Sequence, residues 1–140
     1  MSIDEKVKAI ANTAEFDDLS YVFENWHDAD TAIERVALPA IICVLPFSGS
    51  VEFKNGRTRD QENCAIAFVD KVPRNALGWD NSETYNRMKE RGTAFLKAIN
   101  ASGYFEPLPD VVPYSVICEK LSSIVTGVMF DVQLKEVRHC

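Results

Sequence analysis

The turn on which this sequence is organised is Phe53-Lys54-Asn55-Gly56-Arg57-Thr58. An Asn-Gly pair supplies, at low cost, the positive φ angles that a type I′ turn requires, and this turn commonly joins the two strands of a β-hairpin. The pair therefore predicts a hairpin in which Lys54 lies opposite Arg57. Because the turn sets the register of a hairpin, it also predicts the partners farther along both strands.

Extending that register outward pairs an apolar strand, residues 40–45, with a second apolar segment that follows the turn. The near-continuous apolar character of the first strand is typical of a central strand that is buried on both faces. Large apolar side chains then meet on one face of the hairpin and smaller ones on the other. The predicted pairs are Glu52 with Arg59, Phe47 with Cys64, Leu45 with Ile66, Cys43 with Phe68, Val44 with Ala67 and Ile42 with Val69.

Residues 48–63, which include the turn, are mostly polar, so we expect them to form an arm that stands away from the core. Lys54, Arg57 and Arg59 give this arm a basic tip on a chain that is otherwise acidic. A basic tip can contact an acidic surface of a neighbouring identical subunit, and head-to-tail contacts of this kind can close a ring. The alternative is an ordinary solvated hairpin end.

The rest of the chain predicts two helices and a second hairpin. A helix is expected at residues 2–13, with Ser2 as its cap and Glu5 as the capping-box partner. Residues 19–23 are predicted as a strand, with a helical turn as the alternative. A second helix is predicted from Glu83 to Asn100, with Gly92 inside it as a tolerated defect or a mark of close packing.

The second hairpin begins at Tyr114, and a turn is expected between Glu119 and Ser123. Its long strand, Gly127 to Val137, alternates apolar and polar residues, which is typical of an antiparallel strand with one face in water. The predicted fold is therefore α+β: a four-stranded, mainly antiparallel sheet made of two hairpins, with the helices packed on one face. At 140 residues we expect one domain, 1–140, in which the region 1–36 is the least defined.

Composition narrows the classes of function. The chain is 46% hydrophobic and 26% charged, with a net charge of −6, so we expect a folded protein that phosphate backbones and anionic lipids repel. Its N-terminus has neither the basic nor the apolar region of a secretory signal, and its longest apolar stretch, residues 36–47, is shorter than the roughly 18–20 residues of a membrane span. These features favour a cytosolic setting with reduced cysteines.

No residue pattern predicts catalysis, a metal site or a cofactor. The four cysteines, at 43, 64, 118 and 140, contain no Cys-x-x-Cys pair, and the glycines form no phosphate-binding motif. The least favoured hypothesis is a small hydrolase that uses His27, Asp28 and Cys43, because Cys43 lies in an apolar run that would keep its thiol protonated. The sequence therefore predicts a protein that is not an enzyme.

The order of elements, which closes with Gly127-Val128-Met129-Phe130-Asp131-Val132-Gln133-Leu134, resembles that of the tail-terminator and tail-completion proteins of tailed bacteriophages. The resemblance runs from Leu38 to Val137, and residues 1–36 match less well. It implies a structural virion protein, assembled in the host cytoplasm, that forms a ring of six or more copies at the neck or tail. Partners would be other copies and adjacent neck, portal or tail-tube proteins, with DNA contact only incidental to passage through the ring.

Within this resemblance, the hairpin arm would supply the subunit interface. The residues carried over are Glu52, Lys54, Arg57, Arg59, Asp60 and Glu62, together with the turn residues Asn55 and Gly56. The alternative function is a non-catalytic protein-binding module of a bacterial host.

Overall fold

The computed structural model of the protein describes residues 2–24, 36–73, 77–120 and 124–137. These residues form two α-helices, one short 3-10 helix at Ala14–Phe16 and five β-strands. The helices are α1, Ile3–Ala11, and α2, Gly78–Ala101. The strands are β1, Ser20–Glu24; β2, Ala40–Lys54; β3, Arg57–Lys71; β4, Tyr114–Lys120; and β5, Val125–Lys135.

All five strands belong to one sheet in the order β1-β2-β3-β5-β4. The α+β class is as predicted, but the expected count of four strands was wrong. The additional strand, β1, pairs in parallel with β2, from Ser20 opposite Ala40 to Glu24 opposite Val44. The prediction of a strand at residues 19–23 was correct to within one residue. Because a parallel pair cannot be joined by a tight turn, no local signal in the sequence indicated that this strand pairs with β2.

The second hairpin lies beside the first, because β5 pairs with both β3 and β4. Its predicted alternation is confirmed: Val128, Phe130, Val132 and Leu134 are buried, whereas Asp131 and Gln133 are exposed. The strand begins at Val125, two residues earlier than expected. Of the predicted turn at 119–123, residues 121–123 lie outside the described part of the chain.

Both helices pack on the same face of the sheet, as predicted. Ile3, Val7 and Ile10 of α1 and Met88, Phe95 and Ile99 of α2 share one buried cluster with sheet residues that include Ile41, Ile66 and Phe68. The Phe95 ring meets Phe16 and Phe68 edge-on, at centroid distances of 5.1 and 5.5 Å. Burying a side chain as large as Phe68 contributes about 1.5–3 kcal/mol, so this cluster is the main source of stability.

The opposite face of the sheet holds a second and smaller cluster. Its buried members are Val22, Ala40, Ile42, Ala67, Val69, Ile117 and Val125. Smaller side chains therefore do lie on one face of the first hairpin and larger ones on the other, as predicted.

The start of each helix is capped through hydrogen bonds to backbone N–H groups. The Ser2 hydroxyl accepts from the Glu5 N–H at 3.4 Å, which confirms the predicted cap of α1. The second helix, α2, begins at Gly78, five residues before the predicted Glu83. There the Asp80 carboxylate accepts from the Leu77 N–H at 2.9 Å, and this carboxylate in the first turn also suits the helix dipole.

Gly92 marks close packing of α2 on the sheet. A β-carbon at this position would lie 2.3 Å from Cε2 of the buried Phe130 ring. Of the two interpretations of Gly92, close packing is therefore the correct one. Because no side chain stands between them, α2 can lie directly on Phe130.

Candidate functional site: the β2–β3 arm

The tip of the first hairpin has the predicted turn. Asn55 has a φ of 54° and Gly56 a φ of 74°, the pair of positive angles that a type I′ turn requires. Lys54 lies opposite Arg57, and Glu52 lies opposite Arg59. Close to the turn, the register is therefore confirmed.

The register changes nearer the core. It holds from the turn to the Ser48–Asn63 pair, but the next pair is Val44 with Ala65, so residues 45–47 face Cys64 alone. Pro46 lies in this bulge and has no N–H to donate to the ladder. The five inner pairs predicted from the turn, from Phe47–Cys64 to Ile42–Val69, were therefore wrong: Cys43 lies opposite Ile66, and Ile42 lies opposite Ala67.

Only the outer part of the predicted arm extends past the sheet. The last ladder pair between β3 and β5 is Gln61 with Lys135, and one further hydrogen bond joins the Glu136 N–H to the Asp60 carbonyl at 3.1 Å. Residues 61–63 therefore belong to the sheet. The two-stranded segment from Val51 to Asp60 is called the arm from here on, and its outer residues, 53–58, are exposed to solvent.

Arg59 fastens the base of the arm to the body of the protein. Its guanidinium donates through one terminal nitrogen to Glu52 and through the other to Glu106, and its side chain is only 10% exposed. Lys135 approaches the same Glu106 carboxylate at 3.9 Å. Arg59 was expected at a basic tip, but it lies in a network of ion pairs at the base.

The predicted interface residues therefore separate into two groups. Lys54, Asn55, Gly56 and Arg57 are exposed at the tip. The other four are partly buried at the base: Glu52, Arg59, Asp60 and Glu62. The first group can reach a partner, whereas the second mainly sets the direction of the arm.

Several carboxylates lie close together at the base of the arm. Burial raises the pKa of Glu62, and the nearby carboxylates of Asp60, Asp4 and Glu136 raise it further. Lys6 of α1 offsets part of this charge, because its ammonium group pairs with Glu136 and lies 5.9 Å from the centre of the Phe105 ring. The N-terminal helix is thus tied to the end of the sheet from which the arm extends.

Two apolar residues of the arm were missed by the sequence interpretation. Phe53 is 79% exposed and Val51 is 51% exposed, and their alternate positions place them on one face of the arm. Their spacing, Val-Glu-Phe, is visible in the sequence, but the charged residues around them predicted only a polar arm with a basic tip. An exposed aromatic ring on a projecting strand is a common anchor for a protein partner.

The thiol of the hypothetical hydrolase site is inert in this fold. Burial raises the pKa of the Cys43 thiol to about 11, so it stays protonated at neutral pH. Burial also raises the pKa of Cys64 and of the neighbouring Tyr21 phenol. His27, Asp28 and His139 lie outside the described residues, and no three metal-ligating side chains converge within the described ones.

Comparison with known proteins places the chain in no family: no family model matches it, and no curated protein is detectably similar. Among the described residues, neither helix has the length and apolar character needed to cross a bilayer.

Proposed function

We propose that this protein is a structural virion subunit that assembles into a ring at the neck or tail of a tailed bacteriophage, as a tail-terminator, tail-completion or head-tail connector component. The observation that carries the proposal is the arm, which presents the nearly uncovered ring of Phe53 on a protruding hairpin. Covering such a side chain supplies favourable free energy to association. A projecting contact of this type suits a subunit that grips its neighbour.

The anchoring of the arm supports an assembly role. Glu52 and Glu106 hold the guanidinium of Arg59 at the base, and the Asp60 carbonyl accepts a hydrogen bond from the end of β5. A fixed arm loses little conformational entropy on docking, so more of its contact energy becomes affinity. A solvated hairpin end would need no such anchor.

Charge supports contact between identical copies. The chain has a net charge of −6, whereas Lys54 and Arg57 at the tip are basic and exposed. A basic tip is attracted to the acidic body of a second copy, and the contact uses different surfaces on the two partners. Repeated head-to-tail contacts of this kind close into a ring when the rotation between copies permits. An acidic ring would also let DNA pass without binding it tightly.

Light scattering after size-exclusion chromatography, together with negative-stain imaging, tests the proposal. We expect rings of six or more copies, alone or on addition of the adjacent neck or tail protein. Reversing the tip charges with Lys54→Glu and Arg57→Glu should weaken assembly. Lys97→Glu on the exposed face of α2 is the matched control and should leave it intact.

A strict monomer that is also missing from virion rings would contradict the proposal and would favour the monomeric protein-binding module instead. The position of the gene is a second check. We expect it among genes for portal, capsid and tail proteins, and a position remote from any such cluster would argue against a virion role.

A further inference from the structure

An open apolar cavity lies beside the base of the arm, between β5 and the segment that joins α2 to β4. Its volume is about 310 Å³. It is lined by Asn63 of β3, by Asp131, Val132 and Gln133 of β5, and by Pro109, Val111, Val112 and Pro113 from the segment between α2 and β4. Val111 is 80% exposed at its rim. The wall is mainly Pro and Val, so the cavity suits an apolar group.

The cavity is large enough for an aromatic side chain. An apolar cavity of about 150 Å³ in a protein is sufficient to bind benzene. The present cavity has roughly twice that volume, so the ring of Phe53 could enter together with part of a neighbouring side chain such as Val51.

Phe53 cannot fill the cavity of its own chain. It lies opposite Thr58, which precedes Asn63 by five residues, or about 17 Å along the strand. Side chains also alternate along β3, so Phe53 and Thr58 share the face of the buried Cys64 while Asn63 lies on the other face. An aromatic ring that reaches this cavity from an arm must therefore come from a second molecule.

Charge complements the apolar fit. Lys54 follows Phe53 at the tip, and within the described residues it forms no ion pair. Asp131 lines the cavity and Asp110 adjoins it, and both are exposed and likewise lack an ion pair with any described residue. Lys54 begins on the face of the arm opposite Phe53, but the flexible four-carbon stem of lysine lets its ammonium group turn towards these two carboxylates when the tip docks.

We infer that the arm of one copy docks on the next copy, with the Phe53 ring in the cavity formed by Pro109, Val111, Val112 and Pro113 and with Lys54 beside Asp131. The inference rests on the proposed ring assembly and specifies its contact. Each subunit donates one arm and receives another, so the interface is head-to-tail.

Photo-crosslinking tests the contact directly. Phe53 is replaced by p-benzoylphenylalanine in ¹⁵N-labelled protein, which is mixed with unlabelled wild type and irradiated. We expect crosslinked peptides that join labelled residue 53 to unlabelled residues 109–113. The control is the same replacement at Trp79, which is 70% exposed. That control site lies at the other end of the sheet, where Asn81 accepts a hydrogen bond from the Thr126 hydroxyl, and it should not crosslink to this segment.

Affinity measurements by sedimentation velocity give a second and independent readout. Phe53→Ser should weaken association at least tenfold, because burial of the ring is lost, while the melting temperature of the subunit stays unchanged. Val111→Asp at the cavity rim should weaken it to a similar degree. Lys54→Glu and Asp131→Lys should each weaken association, and the two together should restore it, which a general charge effect would not do.

The outcomes separate this contact from the proposed function. Rings that form normally but crosslink elsewhere, or that tolerate Phe53→Ser, would overturn the contact and leave the ring function standing. Crosslinks within one copy only would overturn it as well. A wild-type protein that never associates, even with the adjacent neck or tail protein, would overturn both.

Discussion

Arg59 on the arm forms an ion pair with Glu106, a residue of the segment that follows α2, and the contact spans 47 positions of sequence. The Arg59 side chain is only 10% exposed, and Glu52 and Glu106 supply the negative charge that compensates its guanidinium there. The direction of the arm is thus set by a residue far from it in the chain. This relationship leads to the first prediction.

Glu106→Ala should loosen the arm. One end of the Arg59 guanidinium loses its acceptor in a partly buried place, which costs about 1–3 kcal/mol of unfolding free energy. Amide exchange measured by mass spectrometry should accelerate in residues 57–60. Glu90→Ala on the exposed face of α2 is the control. Unchanged exchange in the arm would show that the ion pair does not anchor it.

Gly127→Ala should destabilise the whole fold. A β-carbon there would lie 1.8 Å from the Phe68 carbonyl oxygen and 2.9 Å from the Cα of Val69, so β3 and β5 would have to move apart. Because these contacts are with backbone atoms, we expect a loss of about 3 kcal/mol in chemical denaturation.

Gly92→Ala serves as a graded comparison with that substitution. The added methyl group meets a side chain, Phe130, and not the backbone, and alanine has the higher helix propensity. The loss of unfolding free energy should therefore be smaller than for Gly127→Ala. Gly78→Ala, which meets nothing within 4 Å, should cost nothing or slightly stabilise the protein. Equal effects at all three positions would contradict the packing explanation.

Gly56→Ala should weaken the turn without any clash. Its φ of 74° is unfavourable for alanine, and no atom lies near the added carbon, so the cost of about 1 kcal/mol is purely conformational. We expect faster amide exchange at the tip and little change in the core. Asn55→Gly, which adopts positive φ freely, is the control and should keep the arm intact. A tip that exchanges at the wild-type rate in Gly56→Ala would contradict this view of the turn.

Glu62→Gln should stabilise the protein at neutral pH. The pKa of Glu62 is raised in the folded state above the ordinary value of 4.5, so folding favours its protonated form. The carboxyl loses its proton as the pH rises through the raised pKa, and the folded state is then less stable than it is in acid. The amide removes the charge that burial and the neighbouring carboxylates disfavour. Because the side chain is partly in water, we expect a gain below about 1 kcal/mol.

Denaturation at two pH values checks the sign of this effect. The difference between Glu62→Gln and wild type should be present at pH 7 and should vanish well below pH 4.5, where the wild-type carboxyl is neutral in both states. A difference that persists unchanged in acid would mean that the effect is not electrostatic.

Local sequence signals predicted the elements whose geometry is decided within a few residues. Asn55 and Gly56 determined the turn and the pairs nearest to it, because positive φ angles are a property of those residues themselves. The alternation of β5 predicted its buried and exposed faces, and Ser2 predicted the start of α1. In each case the relevant interactions lie within one turn or one strand.

Contacts between distant residues decided the rest, because no local pattern encodes a partner many residues away. Gly92 is a packing site because the Phe130 ring lies beneath it. The partner of β1 is decided by the tertiary fold, which places β2 parallel to it. In the sequence, Arg59 is one of three basic residues near the turn, and nothing local distinguishes it from the other two. Only the fold brings it to Glu106, and that tertiary contact makes it an anchor at the base, while Phe53 and Lys54 are among the exposed residues that a partner can reach.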